Sequence, residues 1–184
     1  MKLGGMLAAA AVAAAVWAAP PAAGAAVDRA CVQSAIPEGR TATYGELYRQ
    51  RGFDGAETPI SNEEAEAILR RCGVSRDDRV TAFGVLAGVF LTEAAAYALE
   101  KDFGVEAVRL RRLWDELPED ADVAFRKLAA SKMSDDSESG DAARAAAARM
   151  ATQLGLSGPK AADHVYFYLL GMMTLELASG RRTI

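Results

Sequence analysis

From Ala82 to Leu91 the chain reads AFGVLAGVFL, an unbroken apolar run inside a proline-free segment that extends from Ser75 to Gly104. Ser75 is a good N-cap, Asp78 occupies the N3 position of a capping box, and Gly104 is a natural stop. The apolar positions Phe83, Val85, Leu86, Val89, Phe90 and Leu91 go round most of a helical circumference instead of forming one stripe, so the predicted helix must be covered on several sides. Gly84, Gly88, Thr92 and Ala96 recur every four residues and make a row of small side chains along which a second backbone can approach. Two interior glycines cost a helix about 1 kcal/mol each relative to alanine, which implies a packing purpose for that row. A membrane span is the competing reading. At about ten residues the run is half the length a span needs, and Glu93 would enter hydrocarbon at a cost of roughly 2.5 kcal/mol or more, so a buried core helix is the better one.

The same period, punctuated by caps and breakers, lays out shorter helices on either side. One is predicted from Asp28 to Ala35, before Pro37-Glu38-Gly39. A second runs from Tyr44 to Arg51, with Thr43 and Glu46 as a capping box and Gly52 as its end. After a loop from Gly52 to Ser61, the clearest capping box in the chain, Ser61 with Glu64, opens a helix that Gly73 closes. Ala65, Ile68, Leu69 and Cys72 fall on one face of it, so Cys72 is expected to point inward. Beyond Gly104, Val105, Val108, Leu110, Leu113, Trp114 and Leu117 mark an amphipathic helix that Pro118 breaks. Glu119 to Lys132 carries only a thin apolar face, at Val123, Phe125 and Leu128, and is expected at the surface. Met133 to Asp141 is polar and unpatterned and reads as a loop. Ala142 to Leu154 is an alanine-rich helix. Ser157 and Pro159 begin a last helix that continues to Gly180; it is the second most apolar segment and the natural partner of the first, with Gly171 facing Gly84 and Gly88.

The amino terminus changes the picture of where the protein works. One lysine, an apolar stretch from Leu7 to Ala19, a Pro20-Pro21 break and Ala23-Gly24-Ala25 have the form of a secretory signal over residues 1–25, leaving an all-helical domain at 26–184. The whole chain carries a net charge of −4; losing that segment removes only Lys2. A mildly acidic protein is a poor partner for nucleic acid or anionic lipid. In an exported protein the even pair Cys31 and Cys72 reads as a disulfide; a redox pair would show Cys-x-x-Cys spacing.

The segment IPEGRTATYGEL, Ile36 to Leu47, resembles the Ile-Pro-x-Gly and Tyr-Gly motif of the O6-alkylguanine DNA alkyltransferase family, where it opens a DNA-binding helix-turn-helix. The resemblance covers about a dozen residues. That family's reactive cysteine lies in a Pro-Cys-His-Arg motif, whereas Cys31 stands in Ala-Cys-Val and Cys72 in Arg-Cys-Gly, so the match is read as a turn followed by a capped helix.

Candidate chemistry is sparse. Glu93 in FLTEAAAY and Glu176 in MTLELAS each sit in apolar surroundings, and if both are interior they form the carboxyl pair that general acid–base or glycosidic chemistry requires. The alternative is that Glu93 is hydrogen-bonded or reaches the surface beside Tyr97 and Glu100, while Glu176 pairs with Arg181 or Arg182. His164, next to Asp163, is the lone histidine and reads as a surface or capping residue. Tyr44, Tyr48, Tyr97, Tyr166 and Tyr168 either line a cleft or edge the core. Arg109, Arg111 and Arg112 make either an anion site or surface salt bridges. Asp135 to Glu138 lacks the alternation of a calcium loop, and no phosphate loop, zinc spacing or repeat is present, so neither metal nor cofactor is expected.

These features predict an all-α domain of six to eight helices around the central one. They point to an exported, non-enzymatic binding or interaction module with a protein or small-molecule partner. A periplasmic hydrolase using Glu93 and Glu176 and a membrane-associated accessory subunit are the alternatives.

Overall fold

The computed structural model describes residues 27–53, 60–75, 78–130 and 137–179; the expected signal segment lies outside them. Eight helices and no strand are found among the described residues: α1 (Arg29–Ala35), α2 (Arg40–Arg51), α3 (Asn62–Arg71), α4 (Arg79–Phe103), α5 (Ala107–Asp115), α6 (Glu119–Ala130), α7 (Ser137–Gln153) and α8 (Pro159–Ala178).

The two most apolar helices pair as expected. A Cβ built on Gly171 would lie 2.8 Å from the Thr92 backbone nitrogen, and one on Gly88 would lie 3.0 Å from the Gly171 carbonyl oxygen and 2.8 Å from Leu175 Cγ. Thr92 opposite Gly171 and Gly88 opposite Leu175 make α4 and α8 antiparallel, with their backbones in contact through the small row. Around this pair, α1, α2, α3 and α5 pack on α4, and α6 and α7 pack on α8. Helix α4 is long and apolar enough to cross a membrane, yet 72% of its most apolar window is buried inside the protein.

Local signals hold at α3, where Ser61 Oγ accepts from the Glu64 amide at 3.1 Å and Glu64 Oε2 accepts from the Ser61 amide at 2.8 Å. Asp78 N–H donates to Ser75 Oγ at 3.2 Å, but α4 itself begins only at Arg79, so the expected cap closes a turn ahead of the helix. Helix α2 starts at Arg40 behind Gly39 (φ +80°), four residues before Tyr44, so Thr43 lies inside the helix instead of capping it. Two surface expectations are overturned. Phe125 is fully buried in α6, 5.8 Å from Tyr166 on α8, because α6 is roofed by α7. The polar stretch from Ser137 to Asp141 is the start of α7 and not a loop.

Cys31 and Cys72 are disulfide-bonded, joining α1 to the end of α3. Helix α1 has only seven residues, too few to be stable alone, and is held by this bridge and by burial of Val32 and Ala35.

Candidate functional site

Glu93 is exposed on α4 and accepts from Gln33 Nε2 at 3.3 Å, while Glu176 is half-buried near the end of α8. In the antiparallel register Glu176 is level with the residues around Gly88, so the two stand about a turn and a half apart along the pair. Arg181 and Arg182, the expected partners of Glu176, lie outside the described residues. Arg109 bridges to no acid among the described residues; its Nη2 donates to the Leu154 carbonyl at 2.8 Å, satisfying the end of α7.

Polar groups converge elsewhere. Tyr48 on α2 and His164 on α8 are both buried, at 1% and 4% exposure, and Tyr48 Oη lies 2.9 Å from His164 Nδ1. His164 was expected at the surface. It is interior because Ala161, His164 and Tyr168 share one face of α8, and because Tyr48 and Phe103 pack against its ring. On the far side of the ring, Nε2 faces Asp102 Oδ2 at 3.9 Å and has no hydrogen-bond partner among the described residues. A lone pair pointing at a carboxylate is unfavourable, so the proton belongs on Nε2 and Nδ1 accepts from the Tyr48 hydroxyl.

Asp102 sits in the last turn of α4, where the helix dipole disfavours a carboxylate, and two cations answer it: Arg49 Nη1 at 2.8 Å and Lys160 Nζ at 2.6 Å. Burial pushes its pKa up, but the bonds to Lys160 and Arg49 outweigh that and hold it below the usual aspartate value. Arg49 also grips Glu46, and with Gln50 it holds that carboxyl down to about 2. Burial raises the Tyr48 pKa, with Asp163 and Tyr44 adding to the effect, so its hydroxyl stays protonated.

His164 is shifted down, by desolvation first and the Lys160 charge second; Asp102 and Asp163 oppose this without prevailing. The unfolded chain therefore takes up a proton near the ordinary histidine value of about 6.5 while the folded protein does not. Stability on this account is complete above that pH and falls as pH drops toward the lowered folded value. Asp102 stays ionised across the window. With a single histidine, an NMR titration reads this directly: the midpoint is expected below about 6.5. A midpoint at or above that value would mean that the two aspartates govern the ring.

The network forms one wall of a cleft of about 410 Å³ lined by Arg49, Arg51, Phe53, Arg144, Lys160, Asp163, His164 and Phe167 among others. The end of α2 supplies one side. Gly52, at φ +72°, turns the chain there so that Phe53 stacks on Phe167 with ring centres 5.0 Å apart. The first turns of α8 supply the other side, with Lys160, Asp163, His164 and Phe167 at helical spacing, and Arg144 reaches in from α7 across the Tyr166 ring. Comparison with known proteins finds no match: no family model, no curated protein and no solved structure aligns with the chain. The cleft is therefore read on its own chemistry.

Among the described residues the lining contains no serine, threonine or cysteine, both cysteines of the chain are bridged, and His164 has its Nδ1 engaged by a neutral tyrosine. Among the described residues no group of three metal-ligating side chains occurs. The sequence carried one usable signal for this site, the i, i+3, i+7 continuity of Ala161, His164 and Tyr168 with the apolar face of α8. The meeting of Tyr48, Asp102 and His164 had none, because the three lie on three helices far apart in the chain.

Proposed function

We propose that this chain is an exported, non-enzymatic binding module that holds a small molecule in the His164 cleft. The observation that carries this reading is the cleft itself: a concavity of ligand size, part aromatic and part charged, whose wall is braced by the buried Tyr48–His164 pair and the ion pairs of Asp102, which link α2, α4 and α8. The network fixes Arg49, Lys160 and His164 in place, and that is preorganisation a binding site uses. The disulfide suits an oxidising compartment and agrees with the secretory form of the amino terminus.

The reading is tested on the oxidised protein with a small-molecule fragment library of mixed charge, followed by NMR through the His164 ring signals and the amides of Arg51, Phe53 and Phe167. Saturable shifts confined to these groups are expected for a subset of fragments. A library that leaves all of them unmoved, or moves them only together with distant amides, refutes the site.

A further inference from the structure

We infer that the ligand of the His164 cleft is a small aromatic carboxylic acid, bound as a monoanion; this rests on reading the cleft as a binding site. The charge balance of the wall decides the sign and the number. Among the described residues four cations, Arg49, Arg51, Arg144 and Lys160, line the cleft, whereas Asp163 is the one acid in the lining and Asp102 and Glu46 stand behind it. A single positive charge is left over in a chain whose net charge is −4. A local cationic concavity on an acidic protein selects an anion, and one uncompensated charge matches a carboxylate better than a phosphate dianion.

The cations differ in what they have left to give. Arg49 is consumed by Glu46 and Asp102. Lys160 Nζ meets Asp102 and retains further donors, and Arg144 lies over the Tyr166 ring with a 3.4 Å contact to Asp163. Arg51 has no ion-pair partner among the described residues and stands next to the Gly52 turn, so its planar fork is free for a carboxylate. Beside it Phe53, backed by its stack on Phe167 and still 37% exposed, offers an apolar ring to the ligand. Arg51 and this ring pair recognise the two ends of one molecule: the fork takes the carboxylate and the rings take the aromatic group. A cleft of about 410 Å³ accommodates a molecule of that size.

The experiment titrates phenylacetate, its neutral isostere phenylacetamide and the cation phenethylammonium into the protein, reading the His164 ring signals. Phenylacetate is expected to bind saturably, the amide roughly tenfold more weakly, and the ammonium compound not at all. Arg51→Gln should weaken phenylacetate roughly tenfold while leaving the amide affinity and the melting temperature unchanged, and Arg112→Gln, at an exposed position of α5, should change nothing. Equal affinity for the amide, an unchanged phenylacetate affinity in Arg51→Gln, or no response to phenylacetate overturns the inference. If other fragments still shift His164, the cleft remains a binding site of different preference; if none does, both readings fall.

Discussion

Replacing Cys31 and Cys72 together by serine is expected to lower the stability of the folded protein by about 4 kcal/mol, the loop-closure entropy of a cross-link across some forty residues. For a chain of this size that corresponds to a fall in melting temperature of roughly 8 to 16 °C. The bridge is the one covalent tie between α1 and α3 across a sequence separation of 41, and α1 otherwise rests on two buried side chains and its packing on α3 and α4. Denaturant unfolding of the wild type with and without dithiothreitol should reproduce the variant's loss. Superimposable curves in the two conditions would show that the cross-link adds nothing, and that α1 is held by packing alone.

The second large effect separates two glycines that look alike in the sequence. Gly171→Ala is expected to destabilise by about 2 kcal/mol, because overpacking of about 3 kcal/mol outweighs the gain of about 1 kcal/mol in helix propensity. The new Cβ would stand 2.5 Å from Thr92 Oγ1 and 2.8 Å from the Thr92 backbone nitrogen, and the latter belongs to a helix that cannot shift locally. Gly171→Val should be worse still. Gly140→Ala, inside α7 with nothing within 4 Å of the added Cβ, is expected to stabilise the protein by up to about 1 kcal/mol. Opposite signs for the same substitution at two helical glycines are the signature of backbone contact between α4 and α8. A stabilising Gly171→Ala would mean that the two helices do not approach as closely as their small row allows.

That contact was legible before any coordinates, as were several local features. The small row through Gly84 and Gly88 and the apolar segment around Gly171 called for each other, since each helix was too apolar all round to face water. Ser61 with Glu64, and Gly104, mark ends that form from neighbouring residues alone. Where local rules competed, they lost. Thr43 and Glu46 match a capping box, yet the left-handed turn at Gly39 starts α2 earlier, and Glu46 instead serves Arg49. The thin apolar face of α6 suggested a surface helix, because the pattern cannot show that α7 will lie over Phe125.

The candidate site was hardly legible at all. Glu93 stood out because its surroundings in sequence are apolar, but a side chain's surroundings in space are set by which way it leaves the helix, and Glu93 leaves toward water and Gln33. His164 looked isolated for the converse reason: its partners Tyr48 and Asp102 come from other helices, and no spacing along the chain relates them.

By itself the sequence determined the helical class, the apolar pair at the centre, the cross-link and the turn residues, all of which depend on period, composition or near neighbours. Only the tertiary structure decided which polar groups are buried together, and thus where a ligand could be held. Burial of a charge or an imidazole is a property of the packed assembly: Asp102 is tolerable inside because α2 and α8 each bring a cation to it, and neither cation is encoded by anything beside Asp102 in the chain.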